Sequence, residues 1–230
     1  MTPQPTPRNG RIAGVVYLLM GLPAPFALIY VPRALIIPGN AAATAGNVLA
    51  HEMLFRAGIV AGLASATGFI ALAFVLHRLL RGVHETYAAV MVILIAVSVA
   101  AAFLNEASNL AALTLFRGAA FLEVFDRGQR EALGMLFLGL HRQGLEIVKI
   151  LWGLWLFPFG ALVMRAGFLP RILGLLLIVN GFAYVAGSVA SLLLPGYAHA
   201  VNAAIVPALL GELWIMLWLL VKGVRTIQFS

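Results

Sequence analysis

Long apolar runs separated by polar connections dominate this chain. A helix needs about 20 mostly apolar residues to cross the hydrocarbon core of a bilayer. Six segments meet that requirement: 12–31, 57–76, 87–104, 146–164, 172–194 and 201–221. The pattern predicts an all-α, polytopic transmembrane helix bundle, a single membrane domain over residues 1–230 with a polar tail at 1–11. Pro23, Pro25, Pro158 and Pro207 fall inside the spans. They are expected to mark kinks, since neighbouring helices can re-satisfy freed backbone groups. Two connections are long. Residues 32–56 contain a helical stretch at 41–55. Residues 105–145 are largely helix-forming, with AALTLF, AAFLEVF and REALGMLFLGL. Both read as extra interfacial or re-entrant helices on the outer side. Further crossings within 110–140 are the alternative. The first apolar run is longer than the roughly 7–15 residues of a signal-peptide core, so a retained first helix is expected.

Composition agrees with a membrane class. Hydrophobic residues make up 63% of the 230, and charged residues 10%, against roughly a quarter in soluble domains. That excludes a soluble enzyme, a nucleic-acid binder and a disordered chain, and makes the lipid bilayer the first partner. The chain has no cysteine. It therefore holds no disulfide, thiolate nucleophile or cysteine metal site.

The net charge of +7 becomes informative once it is divided among the connections. With six spans, Arg8, Arg11, Arg78, Arg81, Arg165, Arg171, Lys222 and Arg225 share one face with Glu85. The opposite face, with the span residues allotted to it, balances its acids and bases. The positive-inside rule then puts both termini in the cytoplasm.

Polar side chains gather mainly near the outer ends of the spans. His51, Glu52 and Arg56 enter the second span. Asn105, Glu106 and Asn109 leave the third. His141, Arg142, Gln143, Glu146 and Lys149 lead into the fourth. Arg142, Glu146 and Lys149 are spaced i, i+4, i+7 and share one helix face, which suits an interfacial salt-bridge ladder. Glu212 and Asn180 lie deeper. Glu212 is ten residues before Lys222, and Asn180 is nine after Arg171. At 1.5 Å per residue they come out about 15 Å and about 13–14 Å from the inner boundary. A carboxyl group at that depth is expensive and usually faces a bundle interior or a wet cavity. Its readings are a ligand, proton or ion site, or a structural hydrogen bond to Asn180 or to backbone near Pro207.

No sequence-local metal motif is present. His51 and Glu52 are adjacent and diverge on a helix, and no HExxH spacing occurs. A metal or haem site would have to be assembled across helices, from His51, Glu52, Glu106 and His141. His77 and His84 flank the basic connection and read as headgroup contacts. Gly58-x-x-x-Gly62 suits close helix packing.

RIAGVVYLLMGLPAPFALIYVPRALIIPGNAAATAGNVLAHEMLFRAG, FLNEASNLAAL and LWGLWLFPFGALVMRAGFLPRILGLLLIVNGFAY resemble a bacterial multi-pass membrane family known only as a domain of unknown function, number 4386. The resemblance covers nearly the whole chain. It implies a bacterial, inner-membrane, polytopic protein. It carries no assigned reaction or cofactor, so no catalytic residue is transferred. The motifs HE at 51–52, NE at 105–106 and LHRQG at 140–144 coincide with the polar positions above.

Three functions fit. The first is a small-molecule, lipid or ion binding, transport or sensing protein with an outward-facing polar cavity. Glu212 and Asn180 would form its floor, and His51, Glu52, Arg56, Asn105, Glu106, His141, Gln143 and Glu146 its walls and rim. The second is a membrane-embedded enzyme, metal- or haem-dependent in one version, acting on a lipid or quinone-like substrate. The third is a structural or accessory subunit.

Overall fold

The computed structural model describes residues 6–194 and 196–225, and among them regular structure is helical throughout. Six helical stretches are long and apolar enough to cross a membrane: Pro7–Leu35, Glu52–Leu80, Glu85–Arg117, Arg127–Arg165, Arg171–Leu193 and Ala203–Val221. We label the helices α1 (Pro7–Leu35), α2 (Ala41–Ala50), α3 (Glu52–Leu80), α4 (Glu85–Arg117), α5 (Arg127–Leu154), α6 (Leu156–Arg165), α7 (Arg171–Leu193), α8 (Ala198–Ile205) and α9 (Gly211–Val221). Helices α5 and α6 together make one span.

The helices overrun the apolar segments that reveal them. α4 continues to Arg117 and α5 already begins at Arg127, with a short 3-10 turn at Ala120–Leu122 between them. The helix-forming connection 105–145 is therefore built as prolongations of two spans. Hydropathy finds the part of a helix that suits lipid, whereas helix propensity continues into polar residues whose side chains find partners. Asp126 starts α5 with a capping box: the Gln129 N–H donates to Asp126 Oδ1 at 2.8 Å, and the Asp126 N–H donates to Gln129 Oε1 at 2.9 Å. His84 similarly ends the basic connection, its Nδ1 accepting from the Tyr87 N–H at 3.3 Å.

The prolines act where their missing N–H predicts. Pro158 cannot donate to the carbonyl four residues back, Leu154, and α5 ends at that residue. Pro207 lies in a 3-10 stretch, Val206–Leu210, that precedes α9. Pro23 and Pro25 precede a π-helical turn at Phe26–Tyr30 inside α1.

Two compact units make up the chain. The first comprises Met1–Leu19, Gly68–Val99 and Glu146–Ser230. Its core includes Leu72, Leu76, Met91, Ile95, Trp155, Phe159, Leu177 and Ile215. Lipid is as apolar as leucine, so helices associate in a membrane through close packing, and small residues favour it. Glycines provide that here. A Cβ at Gly10 would lie 2.6 Å from the Val224 nitrogen, and one at Gly14 would overlap the Leu220 backbone. α1 and α9 thus run antiparallel with their backbones touching. α6 and α7 do the same at Gly160 and Gly174, and the end of α5 meets α7 at Gly153 and Gly181.

The second unit comprises Met20–Thr67 and Ala100–Leu145. Val31, Leu35, Val48, Phe55, Ile59, Leu113, Phe116 and Leu138 form its core. Asn40 caps α2, accepting from the Ala43 N–H at 2.9 Å. The buried Thr44 hydroxyl accepts from the Ile37 N–H at 3.0 Å. These bonds pin the 36–40 turn against α2.

Candidate functional site

The second unit holds a cavity of about 390 Å³. Its wall comes from the π-turn region of α1 (Ala27, Leu28, Val31, Pro32), the following turn (Ile36, Pro38, Gly39), α3 (Phe55, Gly58, Ile59), Asn109 of α4, and α5 from Met135 to Leu145. Most of that lining is apolar. Asn109, His141 and Arg142 supply its polar part. The size falls in the range of small-molecule sites, as does the pairing of an apolar wall with few polar groups. The π turn carries part of this wall, and such turns frequently occur at functional sites.

A polar network backs one side of the cavity. Asn105 Nδ2 donates to the His141 carbonyl at 2.9 Å. His141 Nδ1 lies 3.2 Å from the Asn105 carbonyl oxygen, and His141 Nε2 lies 3.4 Å from Asn109 Nδ2. The Nδ1–H tautomer satisfies both: Nδ1 donates to the carbonyl and Nε2 accepts from the amide. Asn109 Nδ2 also donates to Glu106 Oε2 at 2.9 Å. Glycines make room for the network. A Cβ at Gly62 would come within 2.8 Å of Glu106 Oε1, and one at Gly144 would overlap the Asn105 amide. The Gly58-x-x-x-Gly62 pair therefore has two tasks, since Gly58 receives the Val31 side chain of α1.

The other expected site residues of this unit lie outside the network. Glu52 Oε1 accepts from Arg56 at 2.7 Å, and its Oε2 pairs with Arg117 at 3.6 Å. His51 is exposed, with Nδ1 3.2 Å from the Asn47 carbonyl. Gln143 is exposed. Among the described residues, no three His, Asp or Glu side chains gather so as to hold a metal ion. His51, Glu52, Glu106 and His141 are thus not assembled into one donor set.

The first unit brings Glu212 and Asn180 together, with partners that were not singled out in the sequence. The Tyr17 hydroxyl donates to Glu212 Oε1 at 2.6 Å, and Asn180 Nδ2 donates to Glu212 Oε2 at 3.2 Å. The Tyr184 hydroxyl approaches the same carboxyl group. Asn180 is fully buried. Glu146, also in this unit, accepts from Lys149 Nζ at 2.7 Å. Arg142 takes no part in that pair. A sequence signal for Tyr17 exists: Gly10, Gly14 and Tyr17 are spaced i, i+4, i+7 on one helix face, the face against α9.

The family described as Domain of unknown function (DUF4386) matches residues 12–223. The chain belongs to that family. The match runs through both units, so the cavity and the Glu212 cluster both lie inside the DUF4386 domain. No curated protein and no solved structure matches the chain. Roles for DUF4386 residues therefore rest on the geometry of this chain.

Proposed function

We propose that this DUF4386 protein binds an amphipathic small molecule or lipid with an anionic head in the cavity of its second unit. The observation that carries the reading is the lining itself: an apolar wall with an arginine on it. Among the described residues the Arg142 side chain makes no ion pair or hydrogen bond with the protein. A guanidinium offers five donors to a carboxylate or phosphate. The apolar wall suits a chain or ring system. Asn109 and His141 add polar contacts where the network meets the cavity. Both imidazole nitrogens already face protein partners, which favours a positioning role for His141 over proton transfer.

The charge count supports an orientation for this site. Arg142 belongs to the connection opposite the basic face, so the positive-inside rule puts the cavity towards the outer side of a bacterial inner membrane. Binding, transport and sensing share this first step, and the ligand distinguishes none of them.

Gly139 provides the test. It lies on the cavity wall, and a Cβ built there meets nothing within 4 Å. Gly139→Phe places a large side chain on the cavity wall from a Cβ position that is open. Extracts of purified wild-type protein, read by mass spectrometry, are expected to contain a stoichiometric amphiphile that Gly139→Phe lacks. Equal content in both proteins, or none in either, contradicts the reading.

A further inference from the structure

The Glu212 cluster belongs to a different unit from the cavity and raises a separate question: what balances its charge. The groups facing the carboxyl are Tyr17 from α1, and Asn180 and Tyr184 from α7. All are neutral donors. Among the described residues no Lys, Arg or His forms an ion pair with Glu212. The nearest cation along α9, Lys222, is about 15 Å away by helical rise. Elsewhere the chain behaves differently. Glu52, Glu131 and Glu146 each hold a basic partner within 2.8 Å. A carboxyl group among apolar helices with neutral partners is satisfied either as an anion accepting hydrogen bonds or as an acid with its own proton.

We propose that Glu212 is a reversible proton-binding site within the membrane-spanning part of the first unit. A proton from water binds one carboxylate oxygen, forms an O–H bond, and returns to water on release. One hydronium O–H bond breaks as the carboxyl O–H bond forms, the reverse occurs on release, and no electrons change hands. Asn180 is built to serve both forms. As placed, its Nδ2 donates to Glu212 Oε2, while its Oδ1 is buried without a hydrogen-bond partner. A half-turn of the amide puts Oδ1 where Nδ2 was, and it then accepts the new O–H. Asn180 can therefore hydrogen-bond to either form, with one amide atom left without a partner in each. Tyr17 fits both as well, because a hydroxyl can donate to the anion or accept from the acid. The break ahead of α9, at Val206–Leu210, leaves Glu212 in that helix's first turn.

The site is tested by infrared spectroscopy of the reconstituted full-length protein, comparing spectra across the pH range in which it stays folded. A carboxylic-acid C=O band that grows as pH falls, and is lost in Glu212→Gln, is the expected result. Tyr17→Phe keeps the carboxyl group and removes one partner, so it displaces the midpoint of that band. This keeps the test decisive if Glu212→Gln does not fold. A pH-invariant band shows a permanent structural hydrogen bond and overturns the proposal. So does a titrating band that survives Glu212→Gln, or one whose midpoint Tyr17→Phe leaves unmoved. None of these outcomes depends on whether the cavity binds an amphiphile.

Discussion

Glycine does opposite work in the two units. In the first, Gly10, Gly14, Gly160 and Gly174 bring helix backbones into contact, and nothing fits between them. In the second, Gly62 and Gly144 admit the polar side chains of Glu106 and Asn105, and Gly139 borders open space. One unit uses small residues to close helix pairs around a carboxyl group held by neutral donors. The other uses them to fit a polar network beside an apolar cavity. The same residue type therefore packs helices or makes room for polar side chains according to what lies opposite it.

The contrast breaks most visibly at Gly14. Gly14→Ala puts a methyl group into the Leu220 backbone, which cannot turn aside as a side chain can. Overpacking of this kind costs about 3 kcal/mol, read as a large fall in the thermal midpoint of the solubilised protein. Tyr17→Phe follows at about 1.5 kcal/mol, the loss of its hydrogen bond to Glu212. Asn105→Ala acts on the other unit. It removes the 2.9 Å bond to the His141 carbonyl and should cost about 1 kcal/mol, while the His141 ring resonance shifts in NMR spectra. Gly139→Ala sharpens the comparison by reversing the sign. Its Cβ enters open space within α5, so the gain in helix propensity stabilises the protein by up to about 1 kcal/mol. Arg127→Ala closes the series. Arg127 is 79% exposed in its pair with Glu131, and such pairs contribute about 0.5 kcal/mol or less.

Most of the fold was legible because lipid imposes a length and a composition on every span. Six spans and the proline-marked interruptions follow from that rule, whereas the helical stretch expected at 41–55 is divided at His51 into Ala41–Ala50 and the start of α3. Helix ends were less legible. α4 and α5 continue through residues such as Glu106, Arg130 and Arg142, which hydropathy scores as connection and the backbone treats as helix. Asn180 and Glu212 were paired by depth on consecutive spans, and their side chains meet at 3.2 Å. Tyr17 was not visible in the same way, because depth counting places residues along a helix but does not rotate it. The face through Gly10 and Gly14 would have supplied that rotation. The Asn105–His141 pairing joins residues 36 apart on helices whose contact depends on Gly144, and no single-sequence pattern assigns that contact. Among the described residues, His51 and Glu52 stand apart from this network. Shared depth at a membrane boundary does not bring side chains onto one axis.

The proposed amphiphile site is tested most directly by titrating a fluorescent long-chain fatty acid into the protein held in lipid nanodiscs, wild type beside Gly139→Phe. The wild type is expected to saturate, and filling the cavity to weaken binding at least tenfold, about 1.4 kcal/mol. Unsaturable binding to the wild type, or equal affinity in both proteins, would contradict it.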